Sequence, residues 1–170
     1  MPSNAMRDPN NLLMQNADGT FHEVADSAGV ATTERSRGAG VVDLDNDGRL
    51  DIVVVNRRAG LAVYQNPTPD TGNWVSIAPR QAGPNTYAIG SWIEVRNAPN
   101  RLQTKEVTIG GGHASGTSGP AQFGLGSHVS AEFRILWPDG AASSWTKIDT
   151  NRRASVWRSG TDEIEIRYRE

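Results

Sequence analysis

The part of this 170-residue chain best suited to chemistry is a run of nine residues with four aspartates, D-L-D-N-D-G-R-L-D. Calcium binds six to eight oxygens at about 2.3–2.6 Å, and alternate acidic residues in a tight loop can turn their carboxylates toward one point. Gly48 permits a backbone turn that a side chain would resist. The run therefore predicts a calcium ion (Ca2+) site. The expected oxygen donors are the side chains of Asp43, Asp45, Asp47 and Asp51 and the backbone carbonyl of Arg49.

The residues that flank this loop indicate which kind of calcium site it is. An EF-hand has Glu at the twelfth loop position and a helix after it. Counted from Asp43, the twelfth residue is Val54, within the β-branched run 52–55 that is typical of a buried strand. The run before the loop, 39–42, is also short and apolar. The loop is therefore expected to join two strands, which excludes an EF-hand and disfavours a dockerin module.

Composition excludes several classes of function. Lys and Arg (17) nearly balance Asp and Glu (19), and no basic stripe is present, so no nucleic-acid partner is expected. The absence of cysteine excludes disulfides, thiolate catalysis and a cysteine-based zinc site. No apolar run approaches 18 residues, so no membrane span is predicted.

The spacing of turn residues indicates an all-β protein. Eighteen glycines and nine prolines separate short strand-like runs at intervals of about ten residues. The best candidate for a helix is the short segment Glu23–Ala28, which ends at Gly29. Residues 1–10 are predicted to be a disordered or tag-like N-terminus.

Residues 11–66 form one predicted unit. The segments 11–16 and 60–66 resemble one strand repeated about 50 residues apart, each ending in Gln-Asn. Asp18-Gly19 is a hairpin signal between the first of these strands and the next. A repeat of this length built from short strands is typical of a propeller blade.

A second β unit is predicted over residues 73–170, after a Pro-rich linker at 67–72. In segment 131–137, the residues Ala131, Phe133, Ile135 and Trp137 alternate with polar residues and should face a core. Segment 163–168 alternates in the same way and predicts Tyr168 on the inward face. Seven or eight such strands favour a β-sandwich.

The chain also resembles two known families. Residues 11–66 resemble the FG-GAP/VCBS repeat, the calcium-binding blade of integrin-type propellers, in N-A-D-G-T-F (16–21), R-G-A (37–39) and the aspartate loop. Residues from about 73 to 168 resemble the ASPIC/UnbV domain in F-G-L-G (123–126) and W-P-D-G (137–140), among other motifs. The resemblance implies a calcium site, export from the cytosol and extracellular binding, and it ties the chain to no single reaction.

Other residues that could do chemistry have simpler explanations. His113 lies in a glycine-rich stretch with hydroxyl residues nearby, but no base and orienting acid are spaced around it for nucleophilic catalysis. Gly110–Gly112 lacks the Lys-Ser/Thr and the helix of a phosphate loop. The five tryptophans could include a sugar-stacking platform, with Trp137 as core and Trp145 and Trp157 as candidates for exposure.

These observations predict a secreted, extracellular or periplasmic protein that is not an enzyme. The leading function is a calcium-binding interaction or adhesion module with a protein or glycan partner. The alternatives are a carbohydrate-binding accessory module of a larger protein and a subunit of an extracellular assembly. Self-association is considered because one blade cannot bury both of its faces, and repeat folds usually need at least three units.

Overall fold

The β-branched run 52–55 lies in the middle strand of a three-stranded sheet, as its propensity predicts. The structure, a computed structural model, describes residues 8–98, 101–113 and 115–169. Every regular element among these residues is a strand, which confirms the predicted all-β class. None of them forms a helix with the length and hydropathy that a membrane span requires. Residues 1–7 of the predicted N-terminal segment lie outside the described part of the chain.

The chain divides into two compact units. The first comprises Met1–Asp45, Leu50–Pro67 and Gly112–Gly116. The second comprises Asn46–Arg49, Thr68–Gly111 and Thr117–Glu170. The domain ranges 11–66 and 73–170 stay predictions from the sequence.

The described residues of the first unit form five strands in two antiparallel sheets. These strands are β1 (Leu13–Gln15), β2 (Phe21–Glu23), β3 (Ser36–Val42), β4 (Asp51–Asn56) and β5 (Ala62–Tyr64). Strands β1 and β2 form the hairpin that Asp18-Gly19 predicts, and Gly19 takes the positive φ of 86° that such a turn requires. Strands β3, β4 and β5 form the second sheet in chain order. The aspartate loop therefore connects two strands, as its flanking residues predict.

The helix predicted at Glu23–Ala28 is wrong. Glu23 is the last residue of β2, and the residues after it form turns. One helical hydrogen bond is present, from the backbone N–H of Ala28 to the carbonyl of Val24 at 2.9 Å. Gly29 then takes a φ of 71° and ends the turn. The one hydrogen bond of a single turn does not offset the cost of helix nucleation, so the turn does not extend.

In the second unit the described residues form eight strands in two four-stranded sheets, which confirms the predicted sandwich. The strands are β6 (Asn73–Arg80), β7 (Trp92–Ala98), β8 (Arg101–Glu106), β9 (Ala121–Gly126), β10 (Ser130–Leu136), β11 (Thr146–Asp149), β12 (Arg152–Arg158) and β13 (Ile164–Arg169). One sheet has the order β11-β10-β7-β8 and the other the order β13-β12-β6-β9. The strand pairs are antiparallel except β6 and β12, which are parallel.

The core of this unit consists of the inward-facing residues of both sheets. Phe133 and Ile135 of β10 are fully buried, and Trp137 just after it is 2% exposed, as the alternation of that segment predicts. Tyr168, near the end of edge strand β13, lies opposite buried Ala154 and so shares the inward face as predicted, although it is 47% exposed. The alternation therefore predicts which face a side chain takes, but not how well an edge strand is covered.

Candidate metal centre

The aspartate loop lies at the end of a strand pair whose register fixes its two ends. Val42 at the end of β3 is directly opposite Asp51 at the start of β4. Between them the backbone turns twice through left-handed conformations, at Asn46 with a φ of 68° and at Gly48 with a φ of 89°. Asn tolerates this conformation better than most residues, and Gly adopts it freely. The sequence therefore supplies the permitted residue type at each turn of the loop.

Three of the predicted metal ligands come together in this loop. One carboxylate oxygen each from Asp43, Asp45 and Asp47 lie within 4.8 Å of one another. Two oxygens on opposite sides of a calcium ion are separated by twice the Ca–O distance, or about 4.6–5.2 Å. The separation is therefore close to that found between oxygens that share one calcium ion. The donor set is entirely oxygen, which suits a hard divalent cation such as calcium.

Hydrogen bonds within each unit position two of these carboxylates. Asp47 accepts a hydrogen bond from the backbone N–H of Arg49 at 2.7 Å and forms an ion pair with the Arg49 guanidinium. Asp45 accepts a hydrogen bond from the side-chain amide of Gln65 at 2.6 Å. These contacts orient the side chains before any cation binds. The predicted role of the Arg49 carbonyl as a ligand stays a prediction.

Asp51 lies outside the group of three and has a different environment. It is 2% exposed, and its two oxygens accept hydrogen bonds from the backbone N–H groups of Leu44, at 3.0 Å, and Asn66, at 2.8 Å. The Asn66 side chain in turn donates to the carbonyl of Leu50 at 3.3 Å. Asp51 therefore ties the start of the loop to the chain that leaves β5. Its predicted role as a fourth ligand stays a prediction.

Sequence reasoning missed the part played by Gln65 and Asn66. Their signal was present in the repeated strand, which ends in Gln-Asn at 15–16 and again at 65–66. In the first copy, Asn16 braces the β1–β2 hairpin through a side-chain hydrogen bond to Thr20 at 2.9 Å. In the second copy, Gln65 and Asn66 contact the aspartate loop and Asp51 instead. Spacing alone could not assign these different partners.

The other sequence candidates lie apart from this loop in the chain. His113 is exposed in the segment after β8, and His22 and His128 are also exposed. Trp145 is half-buried, with the guanidinium carbons of Arg96 and Arg134 at 4.0 and 4.9 Å from a ring centroid. Both arginines belong to the sheet β11-β10-β7-β8, and their side chains already contact the Trp145 ring.

Comparisons with known proteins are consistent with this organisation. Residues 4–54 match the FG-GAP-like repeat, and residues 81–164 match the ASPIC and UnbV family. The chain is 24% identical over 129 residues to cartilage acidic protein 1 of Xenopus tropicalis, an alignment that covers 74% of the chain and 20% of the relative. The Homo sapiens protein of the same name is 23% identical over 132 residues, covering 76% and 20%. The chain thus spans about a fifth of these curated relatives. The chain thus matches an FG-GAP-like repeat in its first part and the ASPIC and UnbV family in its second.

Proposed function

We propose that this chain is a calcium-binding, non-catalytic module for extracellular interaction or adhesion. The observation that carries the proposal is the convergence of Asp43, Asp45 and Asp47 within 4.8 Å on the loop between β3 and β4. The site is a structural one in this proposal, since the loop joins neighbouring strands of one sheet. Bound calcium offsets the repulsion among the carboxylates and fixes the two strand ends relative to one another.

The expected affinity supports an extracellular setting. Extracellular calcium modules bind their ion at about 10⁻⁴–10⁻³ M, and only the medium outside the cell keeps such sites filled. An ion that binds the folded state alone stabilises that state by mass action. The similarity to cartilage acidic protein 1 supports the same setting. Calcium, secretion and adhesion are thus parts of one proposal.

A thermal melt with and without calcium tests this proposal. We expect millimolar calcium to raise the melting temperature of the chain and EDTA to reverse the increase. Asp45→Asn should remove most of the calcium effect. Asp26→Asn, a substitution of the same type at an exposed turn outside the loop, should preserve it. Equal melting temperatures with calcium and EDTA would sink the proposal, as would a calcium response unchanged by Asp45→Asn.

The proposal of a non-catalytic role is supported by the exposure of the histidines. His113 was the best sequence candidate for chemistry, and it is exposed in a glycine-rich segment. General-base catalysis needs a base that is oriented against the group it deprotonates. We expect His113→Ala to leave the melting temperature and any partner binding unchanged. Loss of turnover of some substrate in this variant, at an unchanged melting temperature, would overturn the non-catalytic proposal.

A subunit of an extracellular assembly is a second candidate function, favoured by one face of the sheet β3-β4-β5. Gly40, Val53 and Val63 lie opposite one another across the three strands, and Val42 and Val55 share their face. Val42, Val55 and Val63 are 43%, 48% and 53% exposed. Asp51, opposite Val42, shares this face but is 2% exposed, so the exposed side chains of the face are the three valines. A second copy of the chain is the occupant that fits such an apolar surface.

Light scattering over a range of concentrations tests this second candidate. Self-association through the valine face should give a mass that rises with concentration, and Val63→Lys should hold the chain monomeric. Val129→Lys, at a valine that is 76% exposed in the second unit, is the matched control. A mass that is constant in the unsubstituted chain, or that both variants lower equally, would remove this candidate.

A further inference from the structure

A cavity of ≈ 340 Å³ lies within the second unit, and its lining residues are distant in sequence from the aspartate loop. Its volume falls in the range of about 300–1,000 Å³ that is usual for small-molecule sites. Its walls come from the end of β6, the segment that follows it and the segment after β8. The lining residues are Pro79, Arg80, Tyr87, Ile89, Val107, Thr108, Ile109, Ser118 and Gly119.

Arg80 is the only charged group among these lining residues. It is half-buried, and its guanidinium donates to the carbonyl of Pro79 at 2.8 Å and lies 4.6 Å from the centre of the Tyr87 ring. Among residues 8–98, 101–113 and 115–169, no carboxylate forms an ion pair with it. Burial, and then the charge of Arg169, lower the pKa of Arg80. The cavity therefore contains a partly desolvated cation whose charge a bound anion would balance.

The walls around Arg80 are held in place by hydrogen bonds. The side chain of Asn85 donates to the carbonyl of Ile89 and accepts from its N–H, both at 2.9 Å. The N–H of Gly90 donates to the carbonyl of Val107 at 2.8 Å, which connects the two walls. Such bracing limits the movement of the segment that carries Tyr87 before a ligand arrives, so less ordering is needed on binding.

The remaining chemistry of the cavity narrows the class of ligand. Tyr87 is 60% exposed and Ile109 is 65% exposed, so both offer apolar surface at the opening. Thr108 and Ser118 add hydroxyl groups that can both donate and accept hydrogen bonds. A sugar ring presents an apolar C–H face and a rim of hydroxyls, and an acidic sugar adds a carboxylate for Arg80.

We propose that this cavity binds an acidic sugar residue, with its carboxylate on Arg80 and its ring against Tyr87. The inference deepens the proposed function by naming a class of partner, and it rests on that function for the extracellular setting in which acidic glycans occur. It does not depend on the metal, since none of the lining residues belongs to the loop 43–51.

Titration of the folded chain with trigalacturonate, followed by amide NMR shifts, tests the inference. We expect shifts at residues 80, 87, 107–109 and 118–119, and weaker or absent shifts with neutral galactotriose. Arg80→Gln should weaken binding about tenfold or more, because it removes a hydrogen bond between charged groups. Tyr87→Ala should weaken it as well.

The matched controls come from a second Arg–Tyr pair in the same unit. Arg152 lies 5.6 Å from the Tyr168 ring, outside the cavity, so Arg152→Gln and Tyr168→Ala should leave binding within about twofold. Arg80→Lys keeps the charge and should retain part of the binding. This variant therefore separates loss of the charge from a defect in folding. The melting temperature of each variant reports whether it folds.

Several results would overturn the inference. The first is the absence of NMR shifts with trigalacturonate at millimolar concentration. The second is equal weakening of binding by Arg80→Gln and Arg152→Gln. The third is binding of benzoate in the cavity without binding of the sugar. Binding that requires calcium would also overturn it. Conversely, sugar binding in EDTA together with a calcium-independent melting temperature would sink the proposed calcium function and leave this inference standing.

Discussion

Asp51 accepts a hydrogen bond from the backbone N–H of Asn66 at 2.8 Å, across 15 residues of chain. Its other oxygen accepts from the N–H of Leu44 at 3.0 Å. A carboxylate that is 2% exposed and holds two backbone donors stabilises the fold whether or not a cation is bound nearby. Asp45, by contrast, is exposed and accepts a hydrogen bond from the side-chain amide of Gln65 at 2.6 Å.

This contrast predicts that two aspartates of one loop respond differently to removal of calcium. Asp51→Ala leaves two N–H groups to find new partners and should cost about 1–3 kcal/mol in both calcium and EDTA. Asp45→Ala should destabilise the chain in calcium and have little effect in EDTA, since the role proposed for this carboxylate is to bind the ion. Urea unfolding of both variants in both buffers measures this. Equal behaviour of the two variants would contradict the division of roles.

The left-handed turn at Gly48 gives a second prediction. Its φ of 89° is a conformation that side chains rarely adopt, and a Cβ there would overlap the Trp74 indole. Gly48→Ala should therefore lower the free energy of unfolding by at least about 1–2 kcal/mol, the cost of the backbone conformation alone. Gly40 in β3 has no positive φ and has open space where a Cβ would stand. Gly40→Ala is therefore the matched control and should be neutral or stabilising. Equal loss of stability in Gly48→Ala and Gly40→Ala would contradict this prediction.

Glu23 gives a prediction about pH. Hydrogen bonds from the N–H groups of Leu12 and Ala25, each 2.8 Å long, hold the pKa of this carboxyl below its usual 4.5. Because the pKa is lower in the folded state, the stabilisation is present above the unfolded pKa and is lost as pH falls through the folded pKa.

Glu23→Gln should therefore lower the melting temperature at neutral pH, and the difference from the unsubstituted chain should shrink as the solution is acidified below pH 4.5. Glu34→Gln, at an exposed residue nearby in the chain, should have no such effect. An NMR titration of the Glu23 side chain checks the direction of the shift directly. A pKa at or above the usual value would contradict the prediction.

The sequence predicted the elements that depend on neighbouring residues. The alternation of Phe133, Ile135 and Trp137, the Asp18-Gly19 hairpin and the spacing of the loop aspartates are all local signals. The parallel pairing of β6 with β12 is different, because it joins Val75 to Arg152 through no local signal. The same limit hid the cavity, whose walls come from three separate segments of the chain.

Residue type also does not predict which groups a side chain will form hydrogen bonds with. Asp51 fits the metal spacing as well as Asp43 does, yet its oxygens accept backbone hydrogen bonds from Leu44 and Asn66. Those donors lie before and after it in the chain, and only the hairpin register brings them together. The candidate helix at Glu23–Ala28 did not form for a related reason, since local propensity over so few residues does not offset the cost of helix nucleation.

Trp145 gives a final prediction, for the outer surface of one sheet of the sandwich. Arg134 of β10 forms an ion pair with Glu94 of β7, and Arg96 of β7 forms one with Glu132 of β10. The guanidinium carbons of both arginines lie within 5 Å of a Trp145 ring centroid. Cation–π contacts at exposed sites contribute about 0.5–1 kcal/mol each.

Trp145→Ala should therefore lower the free energy of unfolding by about 1–2 kcal/mol from the two cation–π contacts alone, in addition to lost packing. Trp145→Phe keeps an aromatic face and should lose less. Arg152→Gln, which removes a longer Arg–aromatic contact of 5.6 Å, is a suitable comparison and should cost less than Trp145→Ala. Urea unfolding at low and high salt gives these values, and the Trp145→Ala loss should shrink when Arg96 is already Gln. If the losses simply add, the two side chains are not coupled and the stacking contributes nothing.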